Sequence, residues 1–545
     1  METYDVVVLG TGAAGLTAAL AAHDGGARVG LFEKASQVGG TTAWSGGMVW
    51  IPGNPHMADL GLDDDDRTQA LTYLESLSNG LMDHDLAAAF VDTGPEAVSW
   101  LEAKTPVEFR VIPGFPDYHS EHPGAKRGGG RSLETLLFPF DRLGPWAARV
   151  TTGYQLTGNI MMGETSLGRG APGGVPEEEL ARRRIQDERG AGQGLAGALL
   201  AGCLDRGIEP RTDSRAVELI VDDGQVTGVR FETPTGPLLV RATAGVVLAT
   251  GGFEGDAELV RAFLRGPMER PVSTPANTGD GLRMAMRVGA SLGNMREAWW
   301  VPTIDIDHPQ AGRVPWQVNG ERSKPHCILV NRAGRRFTNE AANYNALGAA
   351  FHVLDVTTFD YVNHPAWMVF DHHYLTRYGL AGHRPDCPTP GWMIEAPSVD
   401  ALARALDIQP GTLTETVERW NRHAAAGADP DFGRGDTVTD RWWGDPALGD
   451  TATSTIGPLD TAPFYAVRVR SGTLGTKGGP RTDTSARVLD VDGRAIPGLY
   501  AAGNTMASVM HMTYGGAGGT LGPAIVFGYI AGRHAAAKLT AEETP

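Results

Sequence analysis

The sequence predicts an α/β protein in which a Rossmann-type nucleotide-binding domain, a parallel sheet flanked by helices plus a β-meander, carries an inserted α+β domain. A strand, glycine turn, helix and second strand follow one another over residues 6–33, and apolar strands ending in small-residue turns return twice later in the chain. Between these returns, residues 299–471 are rich in Trp, Tyr, His and Pro. We therefore expect one domain made of residues 1–298 and 472–545, with a second domain inserted at 299–471.

The N-terminal stretch contains a complete βαβ unit. The apolar run 6–9 predicts a buried strand, Gly10-x-Gly12-x-x-Gly15 opens an Ala/Leu helix, and a second short strand ends at Glu33. In this pattern Gly10 makes the tight turn, Gly12 lets a pyrophosphate approach the backbone, and Gly15 lets helix and strand pack closely. The free N–H groups of the helix N-terminus suit the phosphates, and Glu33 is placed to hydrogen-bond an adenosine ribose. The unit predicts dinucleotide binding.

Three later segments indicate which dinucleotide is bound. Residues 39–47 are small and hydroxyl-rich, which suits a flat ring system and its phosphates. The buried strand 244–249 ends in an Ala-Thr-Gly turn typical of flavin dinucleotide sites, and the strand before Gly503 places polar Asn504 near the ribityl chain. Each segment alone could be an ordinary strand end. Their order predicts FAD rather than NAD.

Composition is that of an ordinary globular enzyme and excludes several classes of function. The chain has 545 residues, of which 41% are hydrophobic and 20% charged. A net charge of −17 without basic clusters argues against nucleic acid as a partner. The scattered cysteines and the His pairs 119/122 and 372/373, which lack a third ligand, predict neither disulfides nor a metal.

The sequence also predicts where the protein acts. No apolar stretch reaches the roughly 18 to 20 residues of a membrane helix, and the acidic N-terminus has no basic region or cleavage site of a signal peptide. We expect a cytoplasmic protein with no integral membrane segment. A peripheral membrane contact through the aromatic-rich middle stays open.

Three motifs in the later half of the chain carry a resemblance to a known superfamily. They are GRRFTNE at 334–340, GTKGG at 475–479 and GGTLGPA at 518–524, together with the inserted-domain layout. The chain resembles the fumarate reductase/succinate dehydrogenase flavoprotein superfamily over nearly its whole length, and is most similar to its 3-ketosteroid Δ1-dehydrogenase branch. The resemblance implies FAD-dependent desaturation of a 3-ketosteroid or related cyclic ketone, an inserted domain that serves the substrate and catalysis, and an external electron acceptor such as a quinone.

The predicted cofactor-binding residues combine the motifs above with positions that the resemblance implies. For Asp280 two interpretations stay open, because it could cap the helix that begins there or lie in the turn where superfamily members contact the flavin diphosphate. Asn504 stands where many flavoproteins have an acidic residue. The predicted set is Gly10, Gly12, Ala13, Ala14, Gly15, Glu33, Lys34, Gly40, Thr41, Thr42, Ser45, Gly46, Gly47, Ala216, Val217, Ala249, Thr250, Gly251, Asp280, Gly503, Asn504, Gly519 and Leu521.

Desaturation next to a ketone requires a donor pair on the carbonyl oxygen, a base for the α-proton and a hydride acceptor. The resemblance assigns the donor pair to the Tyr514 hydroxyl and the backbone N–H of Gly518, the base to Tyr344, and an assisting hydroxyl to Tyr118. A free tyrosine has a pKa near 10, so Tyr344 needs help from its neighbours to act as a base. Alternatively, Tyr514 only packs over the flavin and Tyr118 is a plain loop aromatic.

Other activities of the superfamily stay open. A fumarate-reductase type ene-reductase needs cationic clamps for a dicarboxylate, and neither 473–477 nor 518–522 supplies the expected His or Arg, although Lys477 could compensate. Tyr465 lies where Δ4-type ketosteroid dehydrogenases use a tyrosine, or is a strand residue at the domain junction. A non-catalytic flavin-binding protein is disfavoured because the tyrosines would then have no purpose.

Two features of the middle of the chain are less specific. Trp299, Trp300 and Trp316 could wall an apolar substrate cleft, although large aromatics in a Pro-rich segment are more often core residues of a domain interface. Residues 150–190 carry charge and glycine without periodicity and match no segment of the superfamily.

Overall fold

The structure is a computed structural model that describes residues 2–62, 64–155, 158–170 and 174–541. The β-strands of these residues are, in chain order, β1 (Glu2–Leu9), β2 (Val29–Phe32), β3 (Val49–Trp50), β4 (Phe109–Val111), β5 (Ser132–Thr135), β6 (Phe138–Pro139), β7 (Glu188–Arg189), β8 (Arg215–Asp222), β9 (Gln225–Thr233), β10 (Gly236–Leu248), β11 (Arg270–Pro271), β12 (Leu292–Gly293), β13 (Ala298–His308), β14 (Gly312–Gln317), β15 (Cys327–Asn331), β16 (Leu354–Asp355), β17 (Asp360–Tyr361), β18 (Ala366–Asp371), β19 (Met393–Ala396), β20 (Phe464–Thr476), β21 (Gly479–Pro480), β22 (Arg487–Leu489) and β23 (Ala495–Ala501).

The α-helices alternate with these strands in the first part of the chain and cluster between residues 399 and 443 in the second. They are α1 (Ala13–Asp24), α2 (Gly40–Trp44), α3 (Arg67–Ser78), α4 (His84–Lys104), α5 (Glu177–Ile185), α6 (Ala191–Leu204), α7 (Ala257–Phe263), α8 (Asp280–Arg287), α9 (Tyr344–Ala350), α10 (His372–Tyr378), α11 (Val399–Ala405), α12 (Pro410–Ala426), α13 (Val438–Trp443) and α14 (Leu521–Ala541).

The first sheet has the order β2-β1-β10-β23-β22, in which β1 runs parallel to β2 and β10, and β10 parallel to β23. Strand β10 belongs to both the antiparallel and the parallel part of this sheet. Its first half alternates exposed and buried residues and pairs antiparallel with β9, while its last five residues are all buried in the parallel sheet. Alternation suits a sheet with one wet face, and a continuous apolar run suits a covered parallel strand. The predicted Rossmann-type sheet and β-meander are confirmed.

Two helices cover the centre of this sheet. Helix α1 is buried along most of its length, and α14 packs on it at very short range. A Cβ atom at Gly528 would lie 2.5 Å from the carbonyl oxygen of Ala14, and one at Gly532 would lie 2.3 Å from that of Ala18. Glycine at these positions lets the last helix lie against the helix that starts the dinucleotide turn.

The second sheet has the order β14-β13-β20-β18-β15, with β11 and β19 also paired to β20. Side chains alternate between its faces. Cys327 and Leu329 of β15 enter one hydrophobic core, and Ile328 and Val330 enter another on the opposite face. Strand β20 runs across the predicted boundary between residues 471 and 472, and the predicted domain bounds stay a prediction. Among the described residues, no helix has the length and apolarity that crossing a membrane requires.

Candidate active site

A single cavity of about 510 Å³ joins the predicted dinucleotide turn to the predicted catalytic tyrosines. It lies where the parallel strands end, since its lining includes residues one or two positions after β1, β2, β10 and β23. In open α/β sheets ligands bind at the carboxyl ends of the strands. One cavity therefore brings the two predicted halves of the site together.

The glycine turn is packed so closely that side chains would not fit. Gly10 has φ +108°, and a Cβ there would lie 2.3 Å from the carbonyl oxygen of Ala249. A Cβ at Gly15 would lie 1.9 Å from the carbonyl oxygen of Gly10. Glu33 is fixed at the end of β2, because its Oε2 accepts hydrogen bonds from the N–H and Oγ1 of Thr11 at 3.1 and 2.7 Å. These features fit the turn and the acidic residue of a dinucleotide site.

Asp280 does not cap its helix. The residue before α8 is Gly279, which makes no side-chain cap, and the Asp280 carboxylate instead accepts hydrogen bonds from Lys34 and Arg215, each at 2.8 Å. Burial raises the pKa of this carboxyl, but the hydrogen bonds from Arg215 and Lys34 outweigh it and hold the pKa below its ordinary value. The capping interpretation is wrong, and Asp280 lies in the cavity lining.

Most of the predicted cofactor-binding residues line this cavity. Those that do are Gly10, Gly12, Ala13, Ala14, Glu33, Lys34, Gly40, Thr41, Thr42, Ser45, Gly46, Ala216, Ala249, Thr250, Gly251, Asp280, Gly503, Asn504 and Leu521. Gly15, Gly47, Val217 and Gly519 are not in the lining. Gly15 and Gly47 serve close packing instead, since a Cβ at Gly47 would lie 2.3 Å from the backbone of Ala191.

Three tyrosines from distant parts of the chain meet at the other end of the cavity. The ring centroids of Tyr118, Tyr344 and Tyr514 lie 5.4 to 5.5 Å apart in every pair. The Tyr118 hydroxyl donates a hydrogen bond of 3.2 Å to the Tyr344 hydroxyl, and the Tyr514 hydroxyl lies 3.0 Å from Oγ1 of Thr520. Tyr118, Tyr344, Tyr514 and Gly518 all line the cavity. The predicted catalytic residues are therefore brought together.

The loop that carries Tyr118 is tied to the loop that carries Tyr514. The Tyr118 N–H donates to the carbonyl oxygen of Gly515 at 2.9 Å, and the Tyr73 hydroxyl donates to the same oxygen at 2.6 Å. Asp117 fixes the other side of the loop, where Arg131 donates to its carboxylate at 2.7 Å. Burial nonetheless raises the pKa of the Asp117 carboxyl. The position of Tyr118 thus depends on the buried Asp117–Arg131 ion pair and on the Gly515 carbonyl oxygen, which accepts hydrogen bonds from both Tyr118 and Tyr73.

Tyr344 begins α9, and the GRRFTNE motif anchors the chain just before it. Arg336 donates to the carboxylates of Glu340 at 2.7 Å and Asp429 at 2.8 Å, and Arg434 also reaches Glu340 at 3.2 Å. All of these side chains are buried. Their charges hold the pKa of Glu340 low despite burial, which by itself raises it. Arg336 and Glu340 of the motif form a buried ion network with Asp429 and Arg434, and this network fixes the start of α9.

Burial raises the pKa of all three phenols. For Tyr344 the neighbouring Tyr118 and Tyr514 raise it further, and for Tyr118 a hydrogen bond with Tyr344 and the charge of Arg322 oppose the rise. For Tyr514 the opposing groups are Thr520, Tyr344 and the backbone N–H of Gly518. The Tyr514 hydroxyl and the Gly518 N–H stay the predicted donor pair for one ketone oxygen.

The other aromatic candidates lie elsewhere. Tyr465 is buried in β20 and stacks on Phe370 with centroids 5.5 Å apart, outside the cavity lining. Trp299, Trp300 and Trp316 are also outside the lining, although Trp299 packs edge-on against Tyr514 at 4.8 Å. Tyr465 is therefore a strand residue in the core of the second sheet.

The structure adds a third potential metal ligand, Glu121, to His119 and His122. However, Oδ1 of Asn343 accepts the N–H of Ala346, so its Nδ2 donates to His119 Nε2 at 2.9 Å. Nδ1 of the neutral ring then carries the proton and faces Glu121 at 3.8 Å. A metal on Nδ1 would force a proton onto Nε2, opposite the Asn343 NH₂ group. This cluster favours hydrogen bonding over metal binding.

Much of the cavity lining near Tyr118, Tyr344 and Tyr514 was not predicted from the sequence. Trp443 packs beside Tyr118 at the cavity with the two rings 6.0 Å apart, and Phe115, which also lines the cavity, packs against Trp443. The unassigned segment 150–190 contributes Thr151, Thr152, Gln155, Met162 and Leu167. The described lining residues of this segment lie in loops, turns and one short 3-10 helix, which carry no helix or strand periodicity.

Comparisons with known proteins agree with this geometry. The model of the FAD binding domain family matches residues 5–521. The chain is 41% identical to 4-oxocyclohexanecarboxylate 2-dehydrogenase of Sinomonas cyclohexanicum, covering 98% of this chain and 92% of that protein. It is 37% identical to 3-oxosteroid 1-dehydrogenase of Mycobacterium tuberculosis, covering 98% and 99%.

A solved structure is similar over the whole chain. The 3-ketosteroid Δ1-dehydrogenase of Sterolibacterium denitrificans, in complex with 1,4-androstadiene-3,17-dione, superposes with a TM-score of 0.91 at 34% identity, covering 99% of this chain and 100% of that one. The predictions of FAD as cofactor and of this branch of the superfamily are confirmed. The chain belongs to the FAD binding domain family and is a flavoprotein oxidoreductase related to the 3-ketosteroid Δ1-dehydrogenases.

Proposed function

We propose that this protein introduces a carbon–carbon double bond next to the carbonyl of a neutral cyclic ketone. The observation that carries the proposal is the convergence of three buried tyrosine phenols and the Gly518 backbone in the same cavity as the glycine turn. FAD, held by the turn residues and Glu33, supplies the hydride acceptor for this chemistry.

The residues of the chain supply the acid–base part of the reaction. The Tyr514 hydroxyl and the Gly518 N–H hold the ketone oxygen and stabilise the enolate that forms when the α-proton leaves. Tyr344, in its phenolate form, accepts that proton and becomes a neutral phenol, and the Tyr118 hydroxyl hydrogen-bonded to it relays the proton onward after the transfer. Burial keeps water away from the reacting atoms.

The charges of the lining support a neutral substrate. Of the lining residues in the described chain, the charged ones are Glu33, Lys34 and Asp280, which all belong to the dinucleotide end. A substrate carboxylate beside the tyrosines would go unneutralised, which costs several kcal/mol in a buried site. Lys477 does not supply the charge, because it is outside the lining. The same argument disfavours a dicarboxylate-reducing ene-reductase.

The second candidate is a small keto acid. The relative from Sinomonas, named for a cyclohexanecarboxylate, is the more similar of the two curated relatives described above, at 41% against 37% identity. That likeness favours a substrate with a single ring. The charged lining residues, which lie at the dinucleotide end, favour an uncharged substrate instead. The Δ4-type regiochemistry loses its main candidate residue, since Tyr465 packs in the core.

The test is anaerobic mixing of the purified yellow protein with three ketones, following the flavin band near ~450 nm. The ketones are 4-androstene-3,17-dione, 4-oxocyclohexanecarboxylate and the methyl ester of that acid. We expect bleaching by the steroid, and bleaching by the ester at a kcat/KM roughly 10²-fold above that of the acid, as a loss of about 3 kcal/mol predicts. Preference for the acid would exclude the neutral substrate, and no bleaching by any ketone would exclude desaturation.

The proposal extends to the cellular setting. A cytoplasmic location fits the free cysteines, of which Cys203 and Cys327 are buried and Cys387 is exposed. An external acceptor, a quinone or a similar compound, returns the cofactor to its oxidised form after each turnover. Fractionation of the producing cells and reoxidation assays with soluble quinones test these two statements.

A further inference from the structure

Lys477 is a fully buried lysine that lies beside the site without lining it. Its Nζ donates to Oδ1 of Asn345 at 3.1 Å and to the carbonyl oxygen of Thr513, and it lies 4.3 Å from the centre of the Trp299 ring. Its backbone N–H donates to the carbonyl oxygen of Glu297 at 3.0 Å. The ammonium thus has two hydrogen-bond acceptors and one aromatic face.

Each of the three contacts of the ammonium leads to Tyr344 or Tyr514. Asn345 directly follows Tyr344, Thr513 directly precedes Tyr514, and Trp299 packs edge-on against Tyr514 with ring centroids 4.8 Å apart. Tyr344 and Tyr514 come from chain segments about 170 residues apart, so covalent structure does not fix their separation. The ammonium joins the segments next to both rings.

A buried ammonium needs a reason, because an apolar side chain of similar volume would fill the space without losing hydration. Burial lowers the pKa of Lys477 to about 7, and the nearby Glu297 carboxylate opposes this fall. Glu297 in turn pairs with Arg265 at 3.2 Å. Two hydrogen-bond acceptors and the nearby Glu297 carboxylate thus offset part of the cost of burying this amine. Filling space does not explain why a lysine stands here.

We propose that Lys477 is a positioning residue that sets the spacing between the base Tyr344 and the ketone-binding Tyr514 through Asn345 and Thr513. This rests on the roles given to the tyrosines under the proposed function. Misplacement of reacting groups by about 1 Å can cost roughly 10²-fold in rate. Lys477 is not among the residues that line the cavity, so we expect its effect in the chemical step rather than in substrate binding.

The test is the single-turnover rate of flavin reduction in the Lys477→Met holoenzyme, together with its FAD content, Tm and KM. We expect the rate to fall by about 10- to 100-fold with FAD content kept and KM within about threefold. Lys126→Met is the matched control, because it removes a buried lysine whose ammonium pairs with exposed Asp64 at 2.8 Å. The control should keep the wild-type rate.

A double mutant separates positioning from a general loss of structure. If Lys477 acts through Tyr344, Lys477→Met should slow the Tyr344→Phe background by less than about twofold, since the group it positions is already gone. Equal fold losses in both backgrounds would overturn the proposal. If Lys477→Met does not fold, Asn345→Leu removes one link alone and should give a loss of about 3- to 10-fold with the same dependence on Tyr344.

The failure of this inference and that of the proposed function look different. Wild-type rates in Tyr344→Phe and Tyr514→Phe would refute the roles of the tyrosines themselves. Large losses in both of those variants, with a wild-type rate in Lys477→Met, would refute the positioning role alone.

Discussion

At the scale of single residues, the account depends on phenols that stay protonated until the substrate arrives. Burial raises the pKa of Tyr118, Tyr344 and Tyr514, and in the described residues the cation that acts on this group is Arg322, through Tyr118. A protonated Tyr514 is suited to donating to a ketone oxygen. A protonated Tyr344 must lose its proton before it can act as a base, and burial, Tyr118 and Tyr514 all raise its pKa and so oppose that loss.

Removing the Tyr514 hydroxyl should weaken stabilisation of the enolate and leave the pocket in place. We expect Tyr514→Phe to lose roughly 10² to 10³ in the rate of flavin reduction, the usual effect of removing one oxyanion donor. Stopped-flow reduction by a saturating ketone measures the rate. A variant within about threefold of wild type would mean that Tyr514 only packs against its neighbours.

The pH dependence follows from the direction of the pKa shifts. Because the pKa of Tyr344 lies above 10, its phenolate fraction should rise about tenfold per pH unit below that value. We expect kcat/KM of the wild type to rise between about pH 7 and pH 10 without a plateau, while Tyr344→Phe shows a flat and much lower profile with FAD still bound. A wild-type plateau below about pH 8 would point to a different base.

At the scale of elements, the βαβ unit was predictable because each of its parts is local. The apolar runs, the glycine spacing and Glu33 lie within one short stretch, and the structure places them as expected. The residues that cover the three tyrosines were not predictable, since Gln155 and Leu167 lie in loops and turns and Met162 in a three-residue 3-10 helix, none of which has a periodic signal. Their place follows from tertiary packing, which local pattern does not encode.

The glycine turn gives a test with an internal control. Gly10→Ala should lose most of its FAD, because the new Cβ would lie 2.3 Å from the Ala249 carbonyl oxygen at φ +108°. Gly26→Ala, in the same βαβ unit, has φ +91° and nothing within 4 Å of its Cβ. It should pay only the backbone strain of about 1 kcal/mol and keep its FAD. Flavin absorbance per polypeptide measures both, and equal FAD content in the two variants would contradict the account.

At the scale of the whole molecule, the cavity joins chain segments that are remote in sequence. Residues of the glycine turn, Tyr118, Tyr344 and residues of the 514–521 segment line it, and Tyr344 comes from the predicted inserted domain. The resemblance to a known superfamily identified these tyrosines, whereas composition and periodicity did not. Their convergence is a property of the complete fold, and so is the buried ion network that anchors α9.

The ion network should dominate the stability of the region around α9. Arg336→Met would leave the buried carboxylates of Glu340 and Asp429 short of a partner, which costs about 3 to 5 kcal/mol in buried pairs. We expect a Tm several degrees below wild type. Arg332→Met is the control, because its ion pair with Asp360 is exposed and should leave the Tm nearly unchanged. Similar Tm values for both variants would remove the structural role assigned to the motif.

The central claim is that the protein desaturates a cyclic ketone with Tyr344 as the base. The most direct measurement is a single anaerobic turnover of 4-androstene-3,17-dione by wild type and Tyr344→Phe side by side, with product mass and flavin absorbance recorded together. We predict that wild type forms one product lighter by two hydrogens for each flavin reduced, and that Tyr344→Phe, with FAD bound, forms that product at least about 100-fold more slowly. Reduced flavin without that product, or product formed by the variant at the wild-type rate, would contradict the account.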